Sequence, residues 1–376
     1  MSDKSEIKKA LAAADGPKMV ETAAQLKVAV KQLLNSEVIG IDTEFVREHT
    51  YYPRLCLVQL ATHTTAACVD AIALDDLSSL TSVLLDATIT KVLHAARQDL
   101  EIFVQLTGRA PGPLFDTQIA ADLCGLGDQG SLAAIASQLL SVELDKSHTR
   151  TDWSRRPLSE QQLQYALDDA RYLIPIYEEL SEQLREQGRT SWLEEDCERL
   201  INPALYTVEP AMAWKRLGGL GALSGPQYHA ARLLAQWRED RAIDLDRPRG
   251  WILRDDVLLR IATALPDSEN ALEKIKGLPR PLFRKASKLL DIVSAAQRCE
   301  DPVPDLPAPL SPQQRKRVIA LMDRVRRVAA DIGVSAATLA SRRDVTAVVR
   351  RDPNAAPLRG WRREIIGEQL LAGIGD

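Results

Sequence analysis

The sequence predicts an α/β domain followed by two all-α helical bundles, and three observations carry that division. Through the first two hundred residues, apolar strand-like runs alternate with helical patterns. Near residue 205 the strand signals stop and amphipathic helices follow one another. The stretches "GGLGALSGP" (218–226) and "DPVPDLPAPLSP" (301–312) punctuate the helical half, the second as a stiff Pro-rich linker. The predicted domains are 17–205, 210–295 and 310–376.

Taken in order, strands are expected at 38–41, 55–61, 66–69 and 91–94. Helices are expected at 21–34, 74–85, 97–106, 117–124, 132–140 and 160–187. The first three strands follow one another closely, which suggests an antiparallel meander. Later strands alternate with helices, which suggests parallel crossovers, so the whole reads as a mixed sheet with helices on its faces. Composition narrows the classes further. No apolar run is long enough to span a membrane, and the N-terminal stretch has no signal-peptide core, so a cytoplasmic protein is expected. The five cysteines are scattered, with neither zinc spacing nor a disulfide framework. A net charge of −4 argues against a generally basic nucleic-acid coat but not against local basic patches. No long heptad is visible, so a monomer is expected.

The stretch "VIGIDTEFV" (38–46) breaks the apolar pattern. Asp42 and Glu44 stand two apart in a strand, so they share one face. Alone, the pair reads as a solvated strand edge. Two further stretches change that reading. In "KVLHAARQDLEIF" (91–103), Asp99 lies early in a helix that follows a strand, near the sheet edge where sites form. In "LQYALDDARYLIPIY" (163–177), Tyr165 and Asp169 are spaced i, i+4 and share a helix face, while Asp168 points elsewhere. Each has a plain alternative: a first-turn acid on the helix dipole, or a surface Tyr–Asp pair. Together they gather four carboxylates and a tyrosine. Close carboxylates repel unless cations bind among them. Hard divalent cations take oxygen ligands, and two of them about 3.5–4 Å apart clamp a phosphodiester and acidify a bound water. The chemistry indicated is metal-assisted phosphodiester hydrolysis.

In order and type, these motifs resemble those of the DEDD superfamily of 3′→5′ exonucleases, in its tyrosine-bearing (DEDDy) branch. The resemblance implies a ribonuclease H-like mixed sheet. It implies that Asp42, Glu44, Asp99 and Asp169 hold two divalent ions, Mg²⁺ or Mn²⁺. Asp42 would bridge them, Glu44 and Asp169 would complete the nucleophile-side site, and Asp99 would support the second ion. Tyr165 would orient the attacking water. No motif position departs from the family pattern. The stretch "LDKSHTRTDWSRRPLSEQQLQYALDDARYL" (144–173) resembles the ribonuclease D family, and the tail resembles two tandem helicase-and-RNase-D C-terminal (HRDC) domains. The implied activity is 3′→5′ exoribonucleolytic release of nucleoside 5′-monophosphates, on precursor tRNA and other structured RNA. A DNA exonuclease would share the same carboxylates, but the missing polymerase domain and the HRDC-like tail favour RNA. A non-catalytic structured-RNA-binding scaffold would not need all four acids and Tyr165.

Other residues carry weaker signals. Lys146, Arg150, Trp153, Arg155 and Arg156 combine cations with an aromatic, as an RNA-contacting surface does. The alternative is a charged loop folded under Trp153. Gln59 and Tyr51 lie near the first motif and are expected at the RNA 3′ end. His94 reads as structural. Asp116 reads as a helix cap before Thr117 rather than a fifth ligand. The basic helix at 315–329 offers either an RNA-binding or a solvated face. Trp237, Trp251 and Trp361 read as core anchors.

Overall fold

The computed structural model describes residues 18–149, 151–304 and 308–374. The chain forms two compact units. One comprises the chain up to Val46, Leu55–Tyr206 and Ser311 onward; the other comprises Arg47–Arg54 and Thr207–Leu310.

The first unit is built on a six-stranded mixed sheet. Its strands are β1 (Lys18–Val20), β2 (Val38–Val46), β3 (Arg54–Ala61), β4 (Ala66–Asp70), β5 (Thr90–Leu93) and β6 (Leu114–Asp116), in spatial order β1-β4-β3-β2-β5-β6. β3 and β4 pair antiparallel, with Gln59 opposite Cys68. β2–β5, β5–β6 and β1–β4 are parallel. Ile39, Ile41, Val58, Leu60, Val69 and Val92 have no exposed surface, so the middle of the sheet is core on both faces. β2 runs on to Val46 instead of ending at Ile41, so Asp42 and Glu44 sit inside a hydrogen-bonded strand. β1 and β6, three residues each, were not expected from the sequence.

Eight helices flank the sheet among the described residues: α1 (Ala23–Leu33), α2 (Ser78–Leu84), α3 (Arg97–Thr107), α4 (Thr117–Leu123), α5 (Leu132–Leu140), α6 (Glu160–Arg171), α7 (Leu173–Glu186) and α8 (Thr190–Leu200). Ser159 and Gln162 close a capping box that starts α6. The single helix expected at 160–187 is two helices that break at Tyr172. Pro175 explains the break, because its ring opposes the carbonyl of residue i−4, which is Arg171.

The last helical stretch, expected as a separate domain at 310–376, packs into this same unit through α12 (Pro312–Ile332) and α13 (Arg342–Val349). Polar clamps hold it there. Asp122 accepts from the Ser335 amide at 3.0 Å and its hydroxyl at 2.9 Å. Arg362 forks onto Asp196 at 2.5 and 2.8 Å. Trp361 stacks on Trp192, centroids 4.3 Å apart. On α12, Val318, Leu321 and Val325 are buried, while Arg315, Lys316, Arg326 and Arg327 stand on the exposed side.

In the second unit, α9 (Gly225–Asp244) packs on α10 (Asp255–Ala264) and α11 (Ala286–Gln297) around Leu234, Leu258, Ile261, Leu289 and Val293. The segment Arg47–Arg54 is part of this unit. The Tyr51 hydroxyl donates to Glu239 at 2.5 Å, and the Tyr51 and Tyr52 amides donate to Asp246. That engagement replaces the expected place of Tyr51 at an RNA 3′ end. Trp251 is 57% exposed and lies against His49, so it is not a core anchor.

Candidate active site

The even-numbered positions of β2 face α6. Gly40 marks this contact, because a Cβ there would collide with the Ala170 carbonyl oxygen and sit 3.2 Å from the Leu173 Cβ. Helix and strand approach each other at the one residue type that permits it. Asp42 and Glu44 continue the same face, and α6 brings Tyr165 and Asp169 over them. One oxygen each from Asp42, Glu44 and Asp169 lie within 4.8 Å of one another. Asp99 reaches the site from the first turn of α3. It stands outside that tight trio, yet among the neighbouring acids it is the strongest influence on Asp42. Thr43 donates to Asp99 at 2.5 Å and ties α3 to the residue between the two β2 acids.

The electrostatics follow from that crowding. Burial first, then Asp99, Asp169 and Glu44, hold the Asp42 carboxyl well above the usual range. Burial, then Asp169 and Asp99, push Glu44 up to about 8. Burial pushes Asp99 up to about 7, against the opposing Thr43 hydrogen bond. Burial likewise pushes Asp169 up to about 7, against the hydrogen bond from Tyr165. Burial and the nearby Asp169 and Glu44 carboxylates keep the Tyr165 hydroxyl protonated beyond its ordinary range. Four acids that resist ionising together, offering only hard oxygen donors, fit divalent cations and no softer metal.

Second-layer residues set these positions. Asp116 caps α4 through the amides of Gln118 and Ile119 and also accepts from Ala95 and Ala96 at 3.2 and 2.9 Å. It therefore fixes the turn that launches α3, where Ala95 holds a positive φ of 52°. Its carboxylate is committed to backbone amides, as the cap reading expects. His94 is half-buried with Nδ1 2.9 Å from the Thr117 hydroxyl, and burial lowers its pKa.

The expected RNA surface divides. Lys146 is exposed. Arg150 lies outside the described residues. Trp153 is 3% exposed and stacks against Tyr165 at 6.2 Å, so it supports the tyrosine and offers no face to a base. Arg156 forks onto the buried Asp70 at 2.5 and 2.7 Å and also donates to the Cys56 carbonyl. Its guanidinium is occupied within the fold. Gln59 has no exposed surface and cannot touch RNA directly. Gly40 and Asp116 were missed as site-builders; the glycine inside "VIGIDTE" was the available signal for a close approach.

Gly40→Ala tests that geometry. Overpacking of this kind costs about 1–3 kcal/mol. A helix shifted by about 1 Å is expected to lower turnover roughly 100-fold. Gly218→Ala, in open space, is the control. Thermal melts and nuclease rates read both, and wild-type turnover in Gly40→Ala would show that the close approach is dispensable.

Comparison with known proteins gives a consistent picture. The 3′-5′ exonuclease family matches residues 17–185, and the HRDC domain family matches residues 229–293. A ribonuclease D of Acidiphilium cryptum (strain JF-5) is 36% identical over 362 residues, covering 94% of this chain and 92% of the relative. A ribonuclease D of Jannaschia sp. (strain CCS1) is 38% identical, covering 94% of each. The crystal structure of Escherichia coli RNase D, described as an exoribonuclease involved in structured RNA processing, superposes with a TM-score of 0.87 at 33% identity. That match covers 96% of this chain and 98% of the other. No helix among the described residues is long and apolar enough to cross a membrane.

Proposed function

The chain belongs to the ribonuclease D family of 3′→5′ exoribonucleases, and on that premise we propose how its site works and on what. The observation that carries the reading is the trio of carboxylate oxygens within 4.8 Å beneath Tyr165. Two divalent ions, Mg²⁺ or Mn²⁺, bound there would offset charge on a phosphodiester and make a water nucleophilic near neutral pH. Asp42 would be the ligand shared by both ions, since Asp99, Asp169 and Glu44 all act on its carboxyl. Glu44 and Asp169, whose oxygens cluster with that of Asp42, would help hold one ion, and Asp99 would help hold the other. Tyr165, anchored on Asp169 and backed by Trp153, would orient the attacking water toward the 3′-terminal phosphodiester. Hydrolysis then releases a nucleoside 5′-monophosphate and leaves a new 3′ hydroxyl.

The substrate we propose is the 3′ end of precursor tRNA and other structured RNA, handled by a cytoplasmic monomer. Residues 311–376 contain thirteen Lys and Arg against seven Asp and Glu, in a chain of net charge −4. A basic block fixed onto the nuclease unit suits an RNA backbone. We read that block as a second HRDC-like module, because "RGW" recurs at 249–251 and 359–361 and opens a short helix each time. Lys146 remains as an RNA contact.

The test is a 5′-labelled RNA with a free 3′ hydroxyl, followed over time with Mg²⁺, Mn²⁺ or EDTA beside a matched DNA strand. A metal-dependent ladder that shortens from the 3′ end of the RNA is the expected result. Equal or faster DNA digestion would replace the exoribonuclease reading with a DNA exonuclease.

A further inference from the structure

Gln59 is fully buried, and neither its amide oxygen nor its amide nitrogen has a hydrogen-bond partner. Leaving such groups unpaired costs about 1–3 kcal/mol each, so an orphaned buried amide calls for an explanation. Its place in the sheet supplies one. Side chains alternate along β3, so Gln59 shares a face with Leu57 and Ala61. Both belong to one buried cluster with Ala166, Leu167 and Ala170 of α6, the helix that carries Tyr165 and Asp169. Gly40 shows that the acids of β2 face α6 as well. β3 lies directly between β2 and β4. On the β4 side Gln59 pairs with Cys68, whose thiol burial pushes up to about 12 and which also senses Asp42, Glu44 and Arg171. Gln59 therefore lies between Cys68 and the acid pair, beneath the same helix.

We propose that Gln59 is a positioning residue for the metal carboxylates. Its amide nitrogen donates to Asp42 or Glu44, directly or through one buried water, once a cation draws those carboxylates into ligand orientation. The amide suits this place because it carries no charge to repel the cation, whereas a fifth acid would add to the crowding. A donor behind a ligating carboxylate fixes its orientation, and loss of such a partner typically weakens metal affinity about 10–100-fold. This inference rests on the metal-carboxylate reading above.

The test compares Gln59→Leu with the wild-type chain by thermal denaturation during Mn²⁺ titration, without RNA. The variant is expected to melt, metal-free, at or above the wild-type temperature, because two orphaned polar atoms are gone. Its half-saturating Mn²⁺ concentration is expected to rise about 10–100-fold. Gln59→Met, which keeps length and removes the hydrogen-bonding groups, should behave alike and serves if the leucine packs poorly. A lower metal-free melting temperature with an unchanged Mn²⁺ response in the folded variant would make Gln59 a packing residue and overturn the proposal. A wild-type protein whose melting ignores Mn²⁺ would instead remove the metal reading on which it stands.

Discussion

Asp42→Asn is expected to abolish turnover while RNA binding persists. Asparagine keeps the shape of the side chain and removes its charge. Asp42 is the acid on which the other three act together, so it is the charge no neighbour can replace. Removing one group that stabilises developing charge commonly costs about 10²–10³ in rate, and loss of the ligand proposed above to be shared by both ions should cost at least that. The same substitution relieves repulsion in the metal-free protein, so its melting temperature should rise. The temperature gained on adding Mg²⁺ should shrink. Single-turnover rates, RNA affinity and paired melts with and without Mg²⁺ check these signs. Activity within tenfold of wild type would remove Asp42 from the centre of the chemistry, and loss of RNA binding in the folded variant would mean that it holds substrate directly.

What could be read from the chain divides by the range of the interaction. The D-x-E pair depends on strand alternation, and Tyr165–Asp169 on a helical turn, so both are legible locally. Asp116 as a cap is equally local. Arg156 was misread because its partner, Asp70, is 86 residues away. A cation followed by aromatic and charged neighbours looks the same whether it faces solvent or a buried carboxylate. Trp153 was misread for the same reason: its loop gave no sign that it folds beneath Tyr165. The C-terminal helices are held by Asp122 and Asp196 against Ser335 and Arg362, contacts that no local periodicity announces. β1 and β6 are too short to display a period. The break at Tyr172 was legible, since Pro175 was visible, but the apolar stripe runs through it and masked the stop.

Removing divalent metal should destabilise the protein progressively as pH rises. In the unfolded chain the four site acids ionise near their ordinary values of 3.8 for Asp and 4.5 for Glu. In the folded, metal-free chain burial holds Asp99 and Asp169 protonated to about 7, and burial with repulsion from Asp169 and Asp99 holds Glu44 protonated to about 8. Between those values the unfolded state has released protons that the folded state retains, so stability falls with rising pH. Below the ordinary carboxylate range both states are protonated and the penalty vanishes; for Asp99, Asp169 and Glu44 it is complete once pH has passed about 7 to 8, while Asp42 is also held well above its ordinary value. Bound cations offset the charge and displace those protons, so the metal-loaded protein escapes most of the loss. Other titrating groups, such as Asp70 and Asp122, are the same in both conditions and cancel in the difference. Melting temperature in EDTA should therefore drop away from that in Mg²⁺ as pH goes from 5 to 8, by roughly 2–4 °C for each kcal/mol at this domain size. In Asp42→Asn the gap should be smaller at every pH and its widening shallower, because one of the four interacting charges is gone. A gap that stays constant from pH 5 to 8 would mean that the carboxylates ionise freely without metal, and the crowding that motivates a cation site would not exist.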